Sequence, residues 1–272
     1  VNEGTAKSSE TSVTLPPYVP PGLNNIAPYM VMKGAGKFIE FLKTSFQGTE
    51  RLRVPRPDGG LMHAEVGIGD SVIELAEASE QHPPRQNTIH LYVDDAEAAY
   101  ERALRGGATS IYPVGEHVSG DRQGCAKDEW GGVWYIAEAK DWPGHDRAPS
   151  VQPYLHLHGA EKMIPFAEAA FRAEPLGVTK SPEGKILHAT IRIGHATFEI
   201  DEAHEEFQPV PCYLHVYVPD ADVSYVDAVR AGATSVEAPT TKPYGERSAG
   251  IKDPFGNSWF LATYLGDDVS PG

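Results

Sequence analysis

A chain of 272 residues has room for about two domains. Its formal net charge of −15 argues against nucleic acid or an anionic membrane as a partner. It has no run of 18 apolar residues, no basic-then-apolar leader, and only Cys125 and Cys212. A transmembrane helix, a disulfide framework and a cysteine-based zinc site are therefore not expected, and a reducing cytoplasm is the default compartment.

Residues 1–25, rich in Ser, Thr and Pro, read as an extended N-terminal arm. Ile26 to Met32 reads as a strand. Phe38, Phe41, Leu42 and Phe46 recur at helical spacing. Arg51 to Arg56 predicts an edge strand, stopped by Pro55 and Pro57. Leu61 to Leu75 alternates around Ile68-Gly69 and predicts a hairpin. Folding it between residues 68 and 69 sets His63 opposite Glu74 on one face, with Leu61, Glu65 and Val72. Met62, Ala64, Val66, Ile73 and Leu75 take the other, helix-bearing face. After a polar loop comes a strand, Thr88 to Val93. Asp94 or Asp95 can cap a helix from Ala96 to Arg105, ended by Gly106-Gly107. Strands follow near Ser110–Pro113, Gly124–Asp128 and Val133–Ala137.

The whole pattern then repeats 125 positions later. His63 and Glu74 recur as His188 and Glu199, and His90-Leu91-Tyr92-Val93 recurs as His215-Val216-Tyr217-Val218. Asp128 and Trp134 recur as Asp253 and Trp259. Residues 26–139 form one copy, 140–151 a linker, 152–265 the second copy and 266–272 a tail. Each copy reads as two β-α-β-β-β units.

Four such units, the Met62-His63-Ala64-Glu65 hairpin and the string Asp253-Pro254-Phe255-Gly256 resemble the vicinal oxygen chelate superfamily. That superfamily includes glyoxalases, bleomycin-resistance proteins and extradiol dioxygenases, and the PhnB-like branch is the nearest in pattern. The resemblance implies an α+β fold of two tandem domains. Each would be a pair of β-α-β-β-β modules forming a cupped mixed sheet around a cleft. It also implies a divalent metal held from the first and last strands of each module. Those positions carry Ala27, Glu74, Thr88 and Tyr135 in copy one, and Gln152, Glu199, Tyr213 and Phe260 in copy two. Only a glutamate survives in each, so the usual metal set is not kept.

Strand alternation gives a separate list of cleft residues. Copy one offers His63, Glu74, His90 and Tyr92. Copy two offers Tyr154, His156, His158, His188, Glu199, Tyr213, His215 and Tyr217. His188, Glu199, His215 and His156 are the candidate catalytic set, since histidine titrates near neutrality and a carboxylate orients it. His188, Glu199 and His215 are the alternative metal set, two imidazoles and one carboxylate. The tyrosines, His158, His63, Glu74 and His90 are candidate substrate contacts. Arg247 is a candidate clamp for a substrate carboxylate, with a loop salt bridge as the competing reading. Trp134 and Trp259 fall on the helix side. The resemblance implies a lyase, isomerase or dioxygenase acting on a small oxygenated organic molecule. A metal-free small-molecule binding or resistance protein is the alternative. The chain is expected as a monomer, with the repeat acting as an internal pseudo-dimer, or as a homodimer.

Overall fold

The computed structural model describes residues 16–117, 121–138, 149–205 and 207–266. Residues 1–15 of the expected arm, 140–148 of the linker and 267–272 of the tail lie outside the described residues. Four β-α-β-β-β modules follow one another. The first is β1 (Ile26–Met32), α1 (Ala35–Phe46), β2 (Thr49–Pro55), β3 (Leu61–Ile68) and β4 (Ser71–Glu77). The second is β5 (Thr88–Tyr92), α2 (Ala96–Arg105), β6 (Thr109–Glu116), β7 (Arg122–Lys127) and β8 (Val133–Glu138). The third is β9 (Val151–Leu157), α3 (Met163–Phe171), β10 (Glu174–Lys180), β11 (Ile186–Ile193) and β12 (Ala196–Glu202). The fourth is β13 (Tyr213–Tyr217), α4 (Ala221–Arg230), β14 (Thr234–Lys242), β15 (Glu246–Lys252) and β16 (Ser258–Tyr264).

Local chemistry starts these helices. The Glu77 carboxylate, at the end of β4, accepts from Gly34 N at 2.7 Å and Ala35 N at 3.0 Å. Glu202 does the same for Gly159 and Ala160 in the third module. Asp95 and Asp220 cap α2 and α4 through Ala98 N and Val223 N.

The modules form two eight-stranded sheets, and each sheet takes one module from each copy. One runs β14-β15-β16-β13-β1-β4-β3-β2, the other β10-β11-β12-β9-β5-β8-β7-β6. The joints are antiparallel: Tyr29 pairs with Tyr213 across β1 and β13, and His90 with Gln152 across β5 and β9. The α+β architecture of cupped module pairs is as the resemblance implies, but a copy does not close its own sheet.

The cores follow the copies instead. Phe38, Leu42 and Tyr100 belong to one apolar cluster, which joins α1 to α2. Phe166, Ala167 and Ala228 belong to the other, which joins α3 to α4. The helix pairs thus bind modules within a copy, while the sheets bind modules between copies. Trp134 and Trp259 are fully buried on the helix side. Their indole N–H groups each donate at 2.8 Å to Asp128 and Asp253, whose other oxygens accept from the turn backbone.

The hairpin register differs from the expected one. Its turn is Gly69-Asp70, with Ile68 paired to Ser71, so Glu65 rather than His63 lies opposite Glu74. Gly69 has φ +58, which suits a two-residue turn of the tight hairpin class. Face assignments from His63 to Leu75 survive, because the shift is by a whole strand period. They fail at the start of β3. A bulge between Val54 and Pro55 puts Leu61 in the core and leaves Met62 exposed. The same happens at Ile186 and Leu187.

Candidate functional site

Each sheet turns one face to the helices, and polar side chains gather on the other. Because the sheets cross between copies, so do these two clefts. The four candidate catalytic residues all come from copy two, and the structure divides them between these clefts. His215 is not with His188 and Glu199; it lies in the other sheet, with Glu74 of copy one. His90 of copy one joins Glu199 of copy two. Neither the catalytic set His188, Glu199, His215 and His156 nor the metal set His188, Glu199 and His215 is assembled in one place.

The cleft shared by the second and third modules holds most of the imidazoles. His90 Nδ1 lies 2.8 Å from Glu199 Oε2, and His188 Nε2 lies 3.6 Å from that same oxygen. Two residues along β12, Asp201 takes His156 Nδ1 at 2.6 Å and the Tyr154 hydroxyl at 3.2 Å. The Tyr135 hydroxyl lies 3.3 Å from His156 Nε2. Tyr92 stacks on His90, with ring centres 4.4 Å apart. Phe207 packs on His156 and Tyr135. Burial opposes the Glu199 charge, but His90 and His188 outweigh it and bring its pKa to about 2. Burial likewise opposes the charge on His188, and the adjoining Glu199 overrides it, raising that imidazole above its ordinary value.

With His90 Nδ1 turned to Glu199, Nε2 is the ring's second nitrogen, a lone-pair site in the tautomer that donates from Nδ1. That Nε2 is buried and has no partner among the described residues.

The cleft shared by the first and fourth modules repeats this frame with a different ending. His215 Nδ1 lies 2.8 Å from Glu74 Oε1. On its other side, His215 Nε2 lies 3.8 Å from Glu246 Oε2. Burial opposes its charge, but Glu74, Glu246 and Glu65 together raise it to about 9. His215 is thus a cation between carboxylates at neutral pH. Glu246 also accepts from Tyr217 at 2.7 Å. In the first cleft the residue at the place of Glu246 is Asp121, which is hydrogen-bonded to Tyr92. His63 Nδ1 is 3.5 Å from the Tyr29 hydroxyl, and Nε2 is 3.7 Å from Glu65. Tyr213 and Phe260 stack here, with Arg85 over the Tyr213 ring at 5.3 Å.

Two sequence candidates fall outside both clefts. His158 lies just past the end of β9 and is exposed. Arg247 is held bidentately by Asp222 of α4, at 2.8 and 2.7 Å, in the loop salt bridge of the competing reading. Three acidic residues of the site were missed, Asp201, Asp121 and Glu246, along with Phe207 and Arg85. Asp201 follows Glu199 by two positions on one strand face, so alternation marks it. Asp121 and Glu246 repeat at the duplication offset beside Arg122 and Arg247, and it is the acid of each pair that reaches the cleft.

Beside the two glutamates, the positions that the resemblance assigns to metal ligands carry Ala27, Thr88, Tyr135, Gln152, Tyr213 and Phe260. Both cleft glutamates are committed to imidazole Nδ1 atoms. Among the described residues no three His, Cys, Asp or Glu side chains are grouped to hold a metal ion. The cleft presents the unpartnered Nε2 of His90 and the partly exposed His188 on either side of one carboxylate, walled by aromatic rings.

Comparison with known proteins agrees with this fold. Residues 23–136 match the glyoxalase/bleomycin resistance protein/dioxygenase superfamily. An uncharacterized protein of Mycobacterium bovis is 32% identical over 124 residues, which is 42% of this chain and 82% of that protein. One from Mycobacterium tuberculosis strain H37Rv is 32% identical over the same length, covering 42% of this chain and 73% of its own. Glyoxalase I from Zea mays superposes with a TM-score of 0.68, at 17% identity, over 88% of this chain and 92% of the maize chain. At that identity the maize enzyme shows the fold alone. No helix among the described residues is long and apolar enough to cross a membrane, which says nothing of β-barrels.

Proposed function

The chain belongs to the glyoxalase/bleomycin resistance protein/dioxygenase superfamily, and on that footing we propose that it is a proton-transfer enzyme, a lyase or isomerase, acting on a small oxygenated organic molecule. The work is done in the cleft shared by the second and third modules. His90 Nε2 removes a proton from carbon next to a carbonyl. His188, whose charged form the adjoining Glu199 favours, gives a proton to the developing oxyanion from Nδ1. Glu199 fixes the tautomer of one imidazole and the charge of the other. The single observation that carries this reading is the buried Nε2 of His90, which has no partner among the described residues. His188 is the point of access, with 38% of its side chain exposed.

The readout is exchange of carbon-bound hydrogen in heavy water, followed by NMR on dihydroxyacetone, hydroxyacetone and acetoin. The protein should accelerate exchange on at least one of them. Glu199→Gln should cut that rate by about a hundredfold, the lower range for a positioned acid or base. No exchange above buffer on any of the three contradicts the reading. A second reading has its own support in the ring walls of Tyr135, Tyr154 and Phe207. On that reading the cleft sequesters a flat compound, and saturable binding without exchange is its signature.

A further inference from the structure

A second cavity lies apart from the cleft of the second and third modules and shares Arg85 with the edge of the other cleft, and we propose that it is a binding site for a small carboxylate with an aromatic or apolar body. It has a volume of about 340 Å³, within the usual range for a small-molecule site. None of His90, Tyr154, His188 or Glu199 lines it. Met30, Phe38, Trp130 and Trp134 supply an apolar wall. Lys33, Arg85 and Asn87 supply the polar part, and these groups bring two positive charges.

Three observations select the ligand chemistry. Asn87 is 5% exposed, and its side-chain Nδ2 is buried with no partner among the described residues. Arg85 Nε is in the same state. The Arg85 guanidinium makes one long bond, Nη1 to Pro211 O at 3.5 Å, and no described carboxylate pairs with it. A buried donor without an acceptor costs about 1–3 kcal/mol, so a site built of such donors favours an acceptor. Asp128 also lines the cavity, but its oxygens already accept from Trp130 N, Gly132 N and the Trp134 indole. The cavity thus presents open donors and cations above a ring floor, the recognition pattern for an aromatic carboxylate.

The duplication supplies an internal control. At the matching places of copy two stand Val210 for Arg85, Cys212 for Asn87 and Asn257 for Gly132. There the polar groups satisfy one another. Asn257 Nδ2 donates to Asp253 at 2.9 Å, and Asn257 Oδ1 accepts from Cys212 N at 3.2 Å. Copy one has Gly132 where that amide would sit, and its donors stay open. The two copies share a fold, so the open donors are not a requirement of the turn.

Benzoate titrated calorimetrically into the full chain tests this, with benzamide as the uncharged isostere. Benzoate should bind saturably at one site, and benzamide about tenfold or more weakly, as expected for loss of a charge-assisted pair. Arg85→Val, which installs the copy-two residue, should weaken benzoate by a similar factor. Arg85→Gln serves if the valine variant fails to fold by circular dichroism. His90→Ala and His215→Ala should leave benzoate affinity unchanged. Absence of saturable benzoate binding overturns the proposal. So does equal affinity for benzamide, or binding lost in a cleft variant and kept in Arg85→Gln.

Discussion

Glu246 brings a carboxylate to 3.8 Å from His215 Nε2, whereas the matching residue beside His90 is Asp121, one methylene shorter. On this account that methylene separates a locked imidazolium from an open base. Asp121→Glu should cap His90 Nε2 and lower hydrogen exchange by about tenfold or more, within the range for a positioned base. Steady-state exchange rates on the responsive probe check it, and an unchanged rate would show that the open nitrogen is not used.

The same residues carry a pH signature. His215 has its pKa raised from 6.5 to about 9 in the folded protein. Its stabilising contribution is complete below pH 6.5 and is lost as pH rises through about 9. Glu199 has the opposite sign: lowered from 4.5 to about 2, it contributes above pH 4.5 and is lost as pH falls through about 2. The thermal midpoint should therefore fall between pH 6.5 and 9, and His215→Gln should flatten that fall. An equal fall in the variant would place its cause elsewhere.

At the scale of elements, the strands and helices were readable because apolar periodicity and capping residues agree. Asp95 caps α2 as the sequence suggested. Register was not readable to the residue. Gly69-Asp70 and Ile68-Gly69 are both plausible turn pairs by composition, and nothing local chooses between them. The structure shows what does: Gly69 N-terminal to Asp70 meets Ser150, whose N–H donates to Asp70 at 2.7 Å. In the repeat, Gly194 (φ +59) sits against the Asn25 side chain, which accepts from His195 N at 2.9 Å. A Cβ there would meet the Asn25 amide at 2.4 Å. Gly194→Ala should cost about 1–2 kcal/mol from the left-handed backbone alone. Chemical denaturation measures it, and a loss below about 0.5 kcal/mol would mean that the turn relaxes.

At the scale of the molecule, the repeat was plain in the sequence, but the way its modules pair was not. Both pairings bury the same apolar strand faces, so alternation cannot distinguish a sheet closed within a copy from one closed between copies. The decision lies in the β1–β13 and β5–β9 joints and in the helix pairs, which all depend on long-range packing. That is why His90 and Glu199, each found by alternation, were not placed together. Cross-copy sheets and within-copy cores should make the chain unfold as one unit. Tryptophan fluorescence and far-ultraviolet circular dichroism should give coincident denaturant transitions, and two separated transitions would contradict the shared architecture.

The most direct measurement compares His90→Ala with His215→Ala in the heavy-water exchange assay on the full chain. The two residues occupy equivalent positions of the repeat and each pairs with a glutamate of the other copy. His90→Ala should abolish exchange while His215→Ala keeps it within about twofold of the parent, since only one of the two Nε2 atoms lacks a carboxylate beside it. Equal losses, or a loss confined to His215→Ala, would contradict it.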